Sequence, residues 1–394
     1  MSASVTETNE QHGLKEHSHG AGAPIPVQTR SERPTGTSRD AFPALTGREA
    51  EWRYTPVAKL AALANGDLNG GQYPYSATLA EGVTASWVAA TAVERGLAGL
   101  PEDRVAANAW EQTEQVLVID IPAEATGESV IVRDNLGATA RAGHILVRVG
   151  KHAEAAIVFE SRGKALLAEN VEFVLGDGAK LTAISVQEWD EDARHVAAHF
   201  ATVGRDADLK HFVISLGGEV VRVNPSIALA GEGSGTDALG LYFSDAGQHL
   251  EQQVFVHHVA PHTRSRVNYK GALQGEGARS VWIGDVLIGQ GATGTDSYEQ
   301  NRNLVLSDGT RADSVPNLEI ETGNIEGAGH ASATGRFDDE QLFYLRARGI
   351  PEEEARRLVV HGFLAEILQQ LDHGPLRERL EAAVEAELAA GVAR

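Results

Sequence analysis

Short runs of Val, Ile and Leu alternate with small-residue turns from about Val116 to Gly329. The turns recur about every 28 residues at first and about every 15 residues later, which is typical of a stacked solenoid with one or two strands between corners. No helical stretch separates the runs, as a doubly wound fold would require, and tight hairpin signals of the Asn-Gly type are not evident. The pattern therefore predicts a mainly β protein built on a right-handed parallel β-helix, with an irregular sandwich or barrel as the alternative. The corners are expected at Gly178 to Leu181, Asp206 to Leu209, Gly235 to Ala238, Gly277 to Ser280, Gly291 to Gly294 and Gly309 to Ala312.

The segments before this region differ from it in composition and periodicity. Residues 1–46 are rich in Gly, Pro, Ser, Thr and charged residues, which predicts a disordered tail. Residues 47–115 are expected to form an N-terminal helical region, with helices over Arg48 to Ala64 and over Trp87 to Leu97. The β-helix core is then assigned to residues 116–335.

Residues 336–394 carry the signals of a C-terminal helical domain. Asp338 or Asp339 can accept hydrogen bonds from the free amides at a helix start, and Gly349 suits the left-handed residue that ends a helix. A second helix restarts at Pro351, because proline is tolerated in a first turn. Apolar residues recur every fourth position in the last segment, so a helical hairpin or three-helix unit is expected.

Composition excludes several kinds of site and partner. The chain has no cysteine, so it supplies no disulfide, thiol nucleophile or thiolate ligand of its own. Its formal net charge of -21 at pH 7 opposes nonspecific binding to nucleic acid and to anionic lipid, because both are polyanions. No Gly-x-x-x-x-Gly-Lys-Ser/Thr segment occurs, so no ATP site of the P-loop type is expected. Without a long apolar run or an apolar signal segment, a cytoplasmic protein that does not bind membranes is the expectation.

Histidines are the candidate metal ligands of a chain without cysteine. His195 and His199 are four residues apart, so they would share one face of a strand. Four more cluster in one stretch: His249, His257, His258 and His262. Neither an HExxH motif nor a facial-triad spacing accompanies them, and half-buried strand histidines more often form hydrogen bonds, so a free-standing metal-binding module stays an alternative. His330 differs, because small residues flank it where the strands end, and these leave room for a ligand or a partner's backbone.

A series of ordered motifs lies between His257 and Leu371. They are Pro261 to Ser265, Tyr269-Lys270-Gly271, Asn303 to Ser307, Pro316 to Ile320, His330, and Leu342 to Ile350. Together with Glu49 to Tyr54 near the start, these motifs resemble the SufB/SufD family of iron-sulfur cluster assembly scaffold proteins. The resemblance implies a right-handed β-helix between helical N- and C-terminal regions, in agreement with the fold expected from the turns.

Substitutions make the chain more similar to SufD than to SufB. SufB-like chains carry a cluster-ligating cysteine in a Gln-Cys-Asp segment, and the matching segment of this chain is Gln300-Asn301-Arg302. They also carry the segment His-Glu-Ala-Thr-Thr, which corresponds to His330 to Thr334 here. SufD-like chains carry Cys-Ser-His-Gly-Ala-Thr, which fits His330 with Ala328 in the place of the cysteine. The resemblance therefore leaves His330 as the one matched candidate ligand of iron or of a nascent cluster.

The resemblance implies a non-catalytic subunit of the SUF complex, which assembles iron-sulfur clusters de novo. In the family, SufB and SufD pair through their β-helices, and each holds one copy of the ABC-type ATPase SufC through its C-terminal helices. Iron or the nascent cluster would be shared with SufB, which would supply the sulfur ligands and any acidic ligand. A homodimer of the isolated chain is also expected, and the involvement of a flavin is left open. The candidate SufC-docking residues are Phe343, Tyr344, Arg346, Arg348, Glu353 and Arg356.

A polysaccharide-active enzyme is the remaining alternative, because lyases and hydrolases also use β-helices. Such an enzyme would need paired carboxylates or a calcium-carboxylate groove. The run Asp190-Glu191-Asp192 falls at an apparent loop, where a solvated surface is the simpler interpretation.

Overall fold

The computed structural model describes residues 30, 33–336, 339–372 and 374–392. Most strands contain ten residues, and their Val, Ile and Leu content suits half-buried pleated surfaces. In chain order the strands are β1 (Ser76–Thr78), β2 (Thr84–Ala89), β3 (Gln115–Ile121), β4 (Thr126–Asp134), β5 (Ala140–Val149), β6 (Glu154–Gly163), β7 (Leu166–Leu175), β8 (Lys180–Trp189), β9 (Arg194–Val203), β10 (Asp208–Ser215), β11 (Val220–Leu229), β12 (Gly235–Ser244), β13 (His249–His258), β14 (Arg264–Leu273), β15 (Arg279–Ile288), β16 (Asp296–Val305), β17 (Arg311–Ile320) and β18 (Gly327–Arg336).

These strands form two nine-stranded sheets. The even sheet has the order β1-β4-β6-β8-β10-β12-β14-β16-β18, and the odd sheet has the order β2-β3-β5-β7-β9-β11-β13-β15-β17. From β3 onwards, each strand pairs in parallel with the strand two positions later, whereas β1 and β2 pair antiparallel. Because paired residues such as Lys180 and Glu154 are 26 apart and Ser265 and Ser297 are 32 apart, one turn of the solenoid takes about 28 residues. The predicted parallel β-helix is confirmed.

Apolar side chains fill the space between the two sheets. Ile119 of β3 and Ile131 of β4 belong to one buried cluster although they lie on different sheets. Full burial of each such side chain contributes about 1.5–3 kcal/mol. The same inward positions also carry polar side chains, which matter for the site below.

The corners lie at small-residue turns, with one correction. Gly178 and Gly277 have φ angles of 68° and 77°, a left-handed conformation that favours glycine. The corner expected at Gly235 to Ala238 is wrong, because these residues begin β12. The left-handed glycine of that corner is Gly233, with a φ angle of 72°, so the turn occupies the residues just before the strand.

The N-terminal region covers the outer face of the odd sheet with short helical pieces. Among residues 33–115 these are the 3-10 helices Arg39–Ala41, Ala50–Trp52 and Val57–Leu60 and the α-helices α1 (Ala61–Asn65) and α2 (Arg104–Gln112). The helix expected over Arg48 to Ala64 is thus divided into separate pieces. The Trp52 ring stacks 3.5 Å from the guanidinium of Arg222, which pairs with Glu251 of β13. This contact explains why the Trp52 segment is attached to the solenoid.

The helix expected over Trp87 to Leu97 is wrong. Thr84–Ala89 forms β2, which pairs with β3 and is the edge strand of the odd sheet. The Trp87 ring packs edge-on against Tyr73, with ring centroids 4.8 Å apart. Pairing with the sheet and aromatic packing therefore override the helical pattern of this short segment.

Three helices follow the solenoid: α3 (Asp339–Ala347), α4 (Glu352–Leu368) and α5 (Gly374–Val392). The helix stop at Gly349 is confirmed by its φ angle of 87° and by its amide, which donates to the carbonyl of Arg346. Apolar residues of α4 and α5, such as Leu364 and Leu380, pack with Ile214 on the outer face of the even sheet. No described helix is both long and apolar enough to cross a membrane. The expected cap Asp338 and residues 1–29 of the expected tail lie outside the described residues.

Candidate metal and partner site at the end of the β-helix

The C-terminal end of the solenoid is open. Among the described strands, β17 and β18 are the last members of their sheets, so each has one edge without a neighbouring strand. Inner strands such as β13 are buried almost throughout, whereas β18 is exposed from His330 to Arg336. Terminal repeats of solenoids need a cap, and free strand edges pair readily with another chain. This end therefore offers both main-chain hydrogen-bonding groups and inward-facing side chains to a partner.

His330 lies in β18 at this open end. Ala328, two residues earlier, packs against the interior cluster, so His330 shares the inward-facing side of the strand. The register places His330 opposite Glu299 of β16, and its Nδ1 atom is 3.7 Å from Oε1 of Glu299. The His330 side chain is 46% exposed because no further described turn covers it, whereas Glu299 is fully buried. The exposed imidazole and the buried carboxyl thus form a pair at the mouth of the solenoid.

Glu299 has an unusual environment. Within the described part of the chain, neither of its carboxyl oxygens has a hydrogen-bond partner at normal distance. Burial raises the pKa of Glu299 to about 8, and the negative charge of Asp285 adds to this rise, although the backbone amide of Asn317 opposes it. At pH 7 the free chain therefore keeps this carboxyl mostly protonated.

Asn301, at the position where SufB-like chains carry cysteine, belongs to a polar network inside the last turns. Its amide nitrogen donates to the Tyr242 hydroxyl at 2.9 Å, and its oxygen accepts from Ser314 at 2.8 Å. The Tyr242 hydroxyl donates to Asn303 at 2.6 Å, and Ser332 extends the network from β18 to Ser314 at 3.0 Å. Because these bonds occupy both ends of the Asn301 amide, this residue acts as a structural link between turns.

The glycines of this region allow tyrosines to pack inside the solenoid. A Cβ atom at Gly240 would lie 2.0 Å from the Tyr269 ring, and one at Gly271 would lie 1.8 Å from the Tyr242 ring. The Tyr269-Lys270-Gly271 motif therefore supplies the Tyr269 ring, and its glycine leaves the space that the Tyr242 ring occupies. Lys270 points to the other face, where its Nζ atom donates to the Phe363 carbonyl at 3.0 Å and forms an ion pair with Glu366 of α4. This motif thus ties the interior to the C-terminal helices.

The candidate docking residues lie on α3 and at the start of α4. Phe343 and Tyr344 are large and exposed, at 75% and 55%. Arg348 stacks on the Tyr344 ring at 4.7 Å, and Arg346 pairs with Glu352 at 3.2 Å. Arg356 pairs with the same Glu352 at 3.6 Å. The side chain of Glu353 lies outside the described part of the structure.

The other candidate histidines are dispersed rather than gathered. His195 contacts Glu169 at 2.7 Å and accepts from Trp189, while His199 contacts His211 at 3.0 Å inside the solenoid. In the second group, His249 contacts Glu251, and His258 contacts Thr263 and Ser265. No three His, Asp or Glu side chains of the described residues are arranged to hold a metal ion. The described residues thus show no cluster that supports the alternative of a free-standing histidine module.

Two comparisons with known proteins bear on this geometry. The model of the family described as "SUF system FeS cluster assembly, SufBD core domain" matches residues 131–363. An iron-sulfur cluster assembly SufBD family protein of Mycobacterium bovis is 48% identical over 361 residues, which cover 89% of this chain and 90% of the relative. One from Mycobacterium leprae is 47% identical over 359 residues, covering 89% and 92% of the two chains.

A second Mycobacterium bovis protein of the same description is 27% identical over 211 residues, which cover 54% of this chain and 24% of the relative. One organism therefore carries two SufBD family proteins that differ in length and in similarity to this chain. The family match extends over the solenoid and into α4, so it includes both the His330 strand and the helix that packs on the even sheet. On these matches, the chain belongs to the SufBD family of iron-sulfur cluster assembly proteins.

Proposed function

We propose that this chain is a SufD-like, non-catalytic subunit of a cytoplasmic iron-sulfur cluster assembly complex. It pairs with a SufB-like subunit through the open end of the β-helix and holds a SufC-like ATPase through its C-terminal helices. The observation that carries this proposal is the uncovered last turn, where two free strand edges and His330 meet. A partner of the same fold could continue both sheets and cover the inward-facing side chains of β18.

The residue at the cysteine position of SufB supports the assignment to SufD. Asn301 is enclosed in hydrogen bonds inside the solenoid, and the chain has no cysteine anywhere. Sulfur ligands for a nascent cluster must then come from another chain. The two different SufBD family proteins of Mycobacterium bovis agree with a pair of unlike subunits.

Helix α3 supports the docking of an ATPase. Exposed aromatic side chains are typical of protein interfaces, and Phe343 and Tyr344 lie together on this helix. The pairs of Arg346 and Arg356 with Glu352 hold the adjacent charged surface in place. Since the chain has no P-loop segment, the energy of ATP reaches the site only by movement transmitted from SufC through such a surface.

In this account iron is a substrate of the complex, and His330 is a ligand offered to it. Imidazole nitrogen is a competent ligand of iron, and the exposed fraction of the side chain makes it accessible from the partner's side. The neighbouring Gly329 and Ala331 are small, so a partner's backbone can approach closely. The role of this chain is therefore to position a ligand and close the site.

Capture of a tagged SufB-like subunit by the full-length chain tests the pairing. Thr334→Arg places a long charged side chain on the exposed inward side of β18, and we expect it to abolish capture. Thr126→Arg, at an exposed position of β4, is the matched control and should leave capture intact. Equal capture by both variants would contradict pairing through the open end.

Capture of a SufC-like ATPase tests the docking. Phe343→Asp with Tyr344→Asp should abolish it while pairing with the SufB-like subunit persists, because α3 lies outside the apolar contact of α4 and α5 with the even sheet. Undiminished ATPase capture by this double variant would overturn the assignment. Cleavage of polyuronides by the isolated wild-type chain would instead favour the polysaccharide-active alternative.

A further inference from the structure

We propose that Glu299 is a second metal ligand supplied by this chain, so that Glu299 and His330 together form a carboxylate-imidazole half-site for a divalent transition metal. This inference deepens the proposed function and rests on it for the partner's remaining ligands. It also changes the division of labour implied by the family resemblance, in which any acidic ligand comes from the SufB-like subunit.

Glu299 differs from the other fully buried glutamates of the described residues in its hydrogen bonding. Glu169 is paired with Arg133 and His195, and Glu172 accepts from two backbone amides and contacts His144. Glu251 accepts from Thr55 and is paired with His249 and Arg222. Each of these carboxylates is held by several donors, as burial of a charge requires.

Glu299 alone in this comparison has no such donor within the described residues. A buried carboxyl group without partners costs free energy, and groups of this kind cluster at functional sites. A cation bound beside it would join Oε1 and balance the charge of the ionised carboxylate. The missing partner of Glu299 is therefore explained by a ligand that joins it, rather than by a contact within the chain.

The distance to His330 fits a shared metal ion. Metal bonds of about 2.1 Å to nitrogen and oxygen, at a tetrahedral angle, place the two donor atoms about 3.4 Å apart. The separation between Nδ1 of His330 and Oε1 of Glu299 is 3.7 Å, so a small side-chain rotation suffices. The same separation is too long for a good hydrogen bond, which argues against a simple His-Glu bond as the whole purpose of the pair.

The surroundings leave room for the carboxylate and a way in for the ion. Position 284 is glycine, and a Cβ atom there would lie 2.5 Å from Oε2 of Glu299, so a larger residue would displace the carboxyl. On the opposite side the half-exposed His330 reaches solvent through the open end. Water in the free chain, and side chains of the SufB-like subunit in the complex, would complete the coordination.

Titration of the full-length chain with Co²⁺ under anaerobic conditions tests the half-site. Co²⁺ is a spectroscopic substitute for Fe²⁺, and its ligand-field bands report nitrogen and oxygen ligation. We expect one Co²⁺ per chain, bound at least about tenfold more weakly by Glu299→Gln and by His330→Gln. The double variant should lose less affinity than the sum of the two single losses, because two ligands of one ion are coupled.

His257→Gln is the control, since this half-exposed histidine lies on β13 outside the pair. Circular dichroism of each variant monitors folding, and Glu299→Gln preserves the shape of the side chain. Wild-type affinity of Glu299→Gln, unchanged ligand-field bands, or a wild-type chain that binds no Co²⁺ would each overturn the inference. These outcomes leave the capture of the SufB-like subunit untouched, so failure here is distinguishable from failure of the proposed function.

Discussion

The middle of the β-helix and its last turn contain similar polar side chains in very different settings. In the middle, the inward-facing Glu169 is held by Arg133 and His195, and the turns before and after bury all three. At the end, Glu299 has no donor within the described residues, and His330 beside it is half exposed. The same inward-facing position of a solenoid can therefore stabilise the fold where neighbouring turns supply its partners, and remain available for binding where no such turn covers it.

Breaking the buried ion pair of the middle turns should lower the free energy of unfolding more than any other substitution considered below. Arg133→Ala leaves Glu169 with a buried charge and one partner fewer, which should lower the free energy of unfolding by about 3–5 kcal/mol. Glu299→Gln should change it by less than about 1 kcal/mol, because neither carboxyl oxygen has a hydrogen-bond partner at normal distance among the described residues. Urea unfolding of both variants checks the contrast. Similar losses for the two would show that the two regions do not differ as described.

The buried histidine pair should make the middle turns sensitive to acid. Burial lowers the pKa of His211 to about 4 and, together with the charge of His211, lowers the pKa of His199 well below its ordinary value. Between pH 6.5 and pH 4 the unfolded chain therefore binds more protons than the folded chain, so stability falls as the pH is lowered through this range. The slope should reach about 1.4 kcal/mol per pH unit for each histidine.

Unfolding experiments at a series of pH values measure this slope. His211→Gln removes one titrating group, so its stability should fall less steeply between pH 6.5 and pH 4 than that of the wild type. The His211 ring also packs edge-on against Phe173, so the variant is expected to be less stable at pH 7. A slope unchanged by the substitution would show that the histidine pair is not the acid-sensitive element.

A smaller difference in the free energy of unfolding is expected between a glycine packed inside the solenoid and one in its last strand. Gly271→Ala would place its Cβ atom 1.8 Å from the Tyr242 ring, so the ring must move, at a cost of about 1–3 kcal/mol. At Gly335 in β18 a Cβ atom meets nothing within 4 Å, so Gly335→Ala should cost less than about 0.5 kcal/mol. Thermal unfolding of the pair measures the difference. A larger loss for Gly335→Ala would show that the last turn is packed like the others.

The repeated turns were sufficient to predict the parallel β-helix, because each corner needs small residues and the turns are similar in length. The spacing of about 15 residues corresponds to half a turn, from one sheet to the other. The prediction failed at Trp87 to Leu97, where pairing with β3 and the contact with Tyr73 decide the structure. A local helical pattern cannot reveal such tertiary contacts.

The sequence pointed to only part of the candidate site. The family motif singled out His330, whose role stays a prediction, and Glu299 was missed, although alternation along β16 places Ser297, Glu299 and Asn301 on one side of the strand. The sequence does not show which buried carboxyl lacks donors, because that depends on the register that sets Glu299 beside His330. Pattern reasoning could have found an inward glutamate, and only the structure distinguishes it from Glu169.

The central claim is that the open end of this β-helix meets a SufB-like subunit and that His330 lies in the contact. Cryo-electron microscopy of the complex purified anaerobically from the native cell tests it most directly. We expect strands of the SufB-like subunit to adjoin the free edges of β17 and β18 and to enclose His330 and Glu299. A complex in which the SufB-like subunit binds elsewhere and leaves His330 in solvent would contradict it.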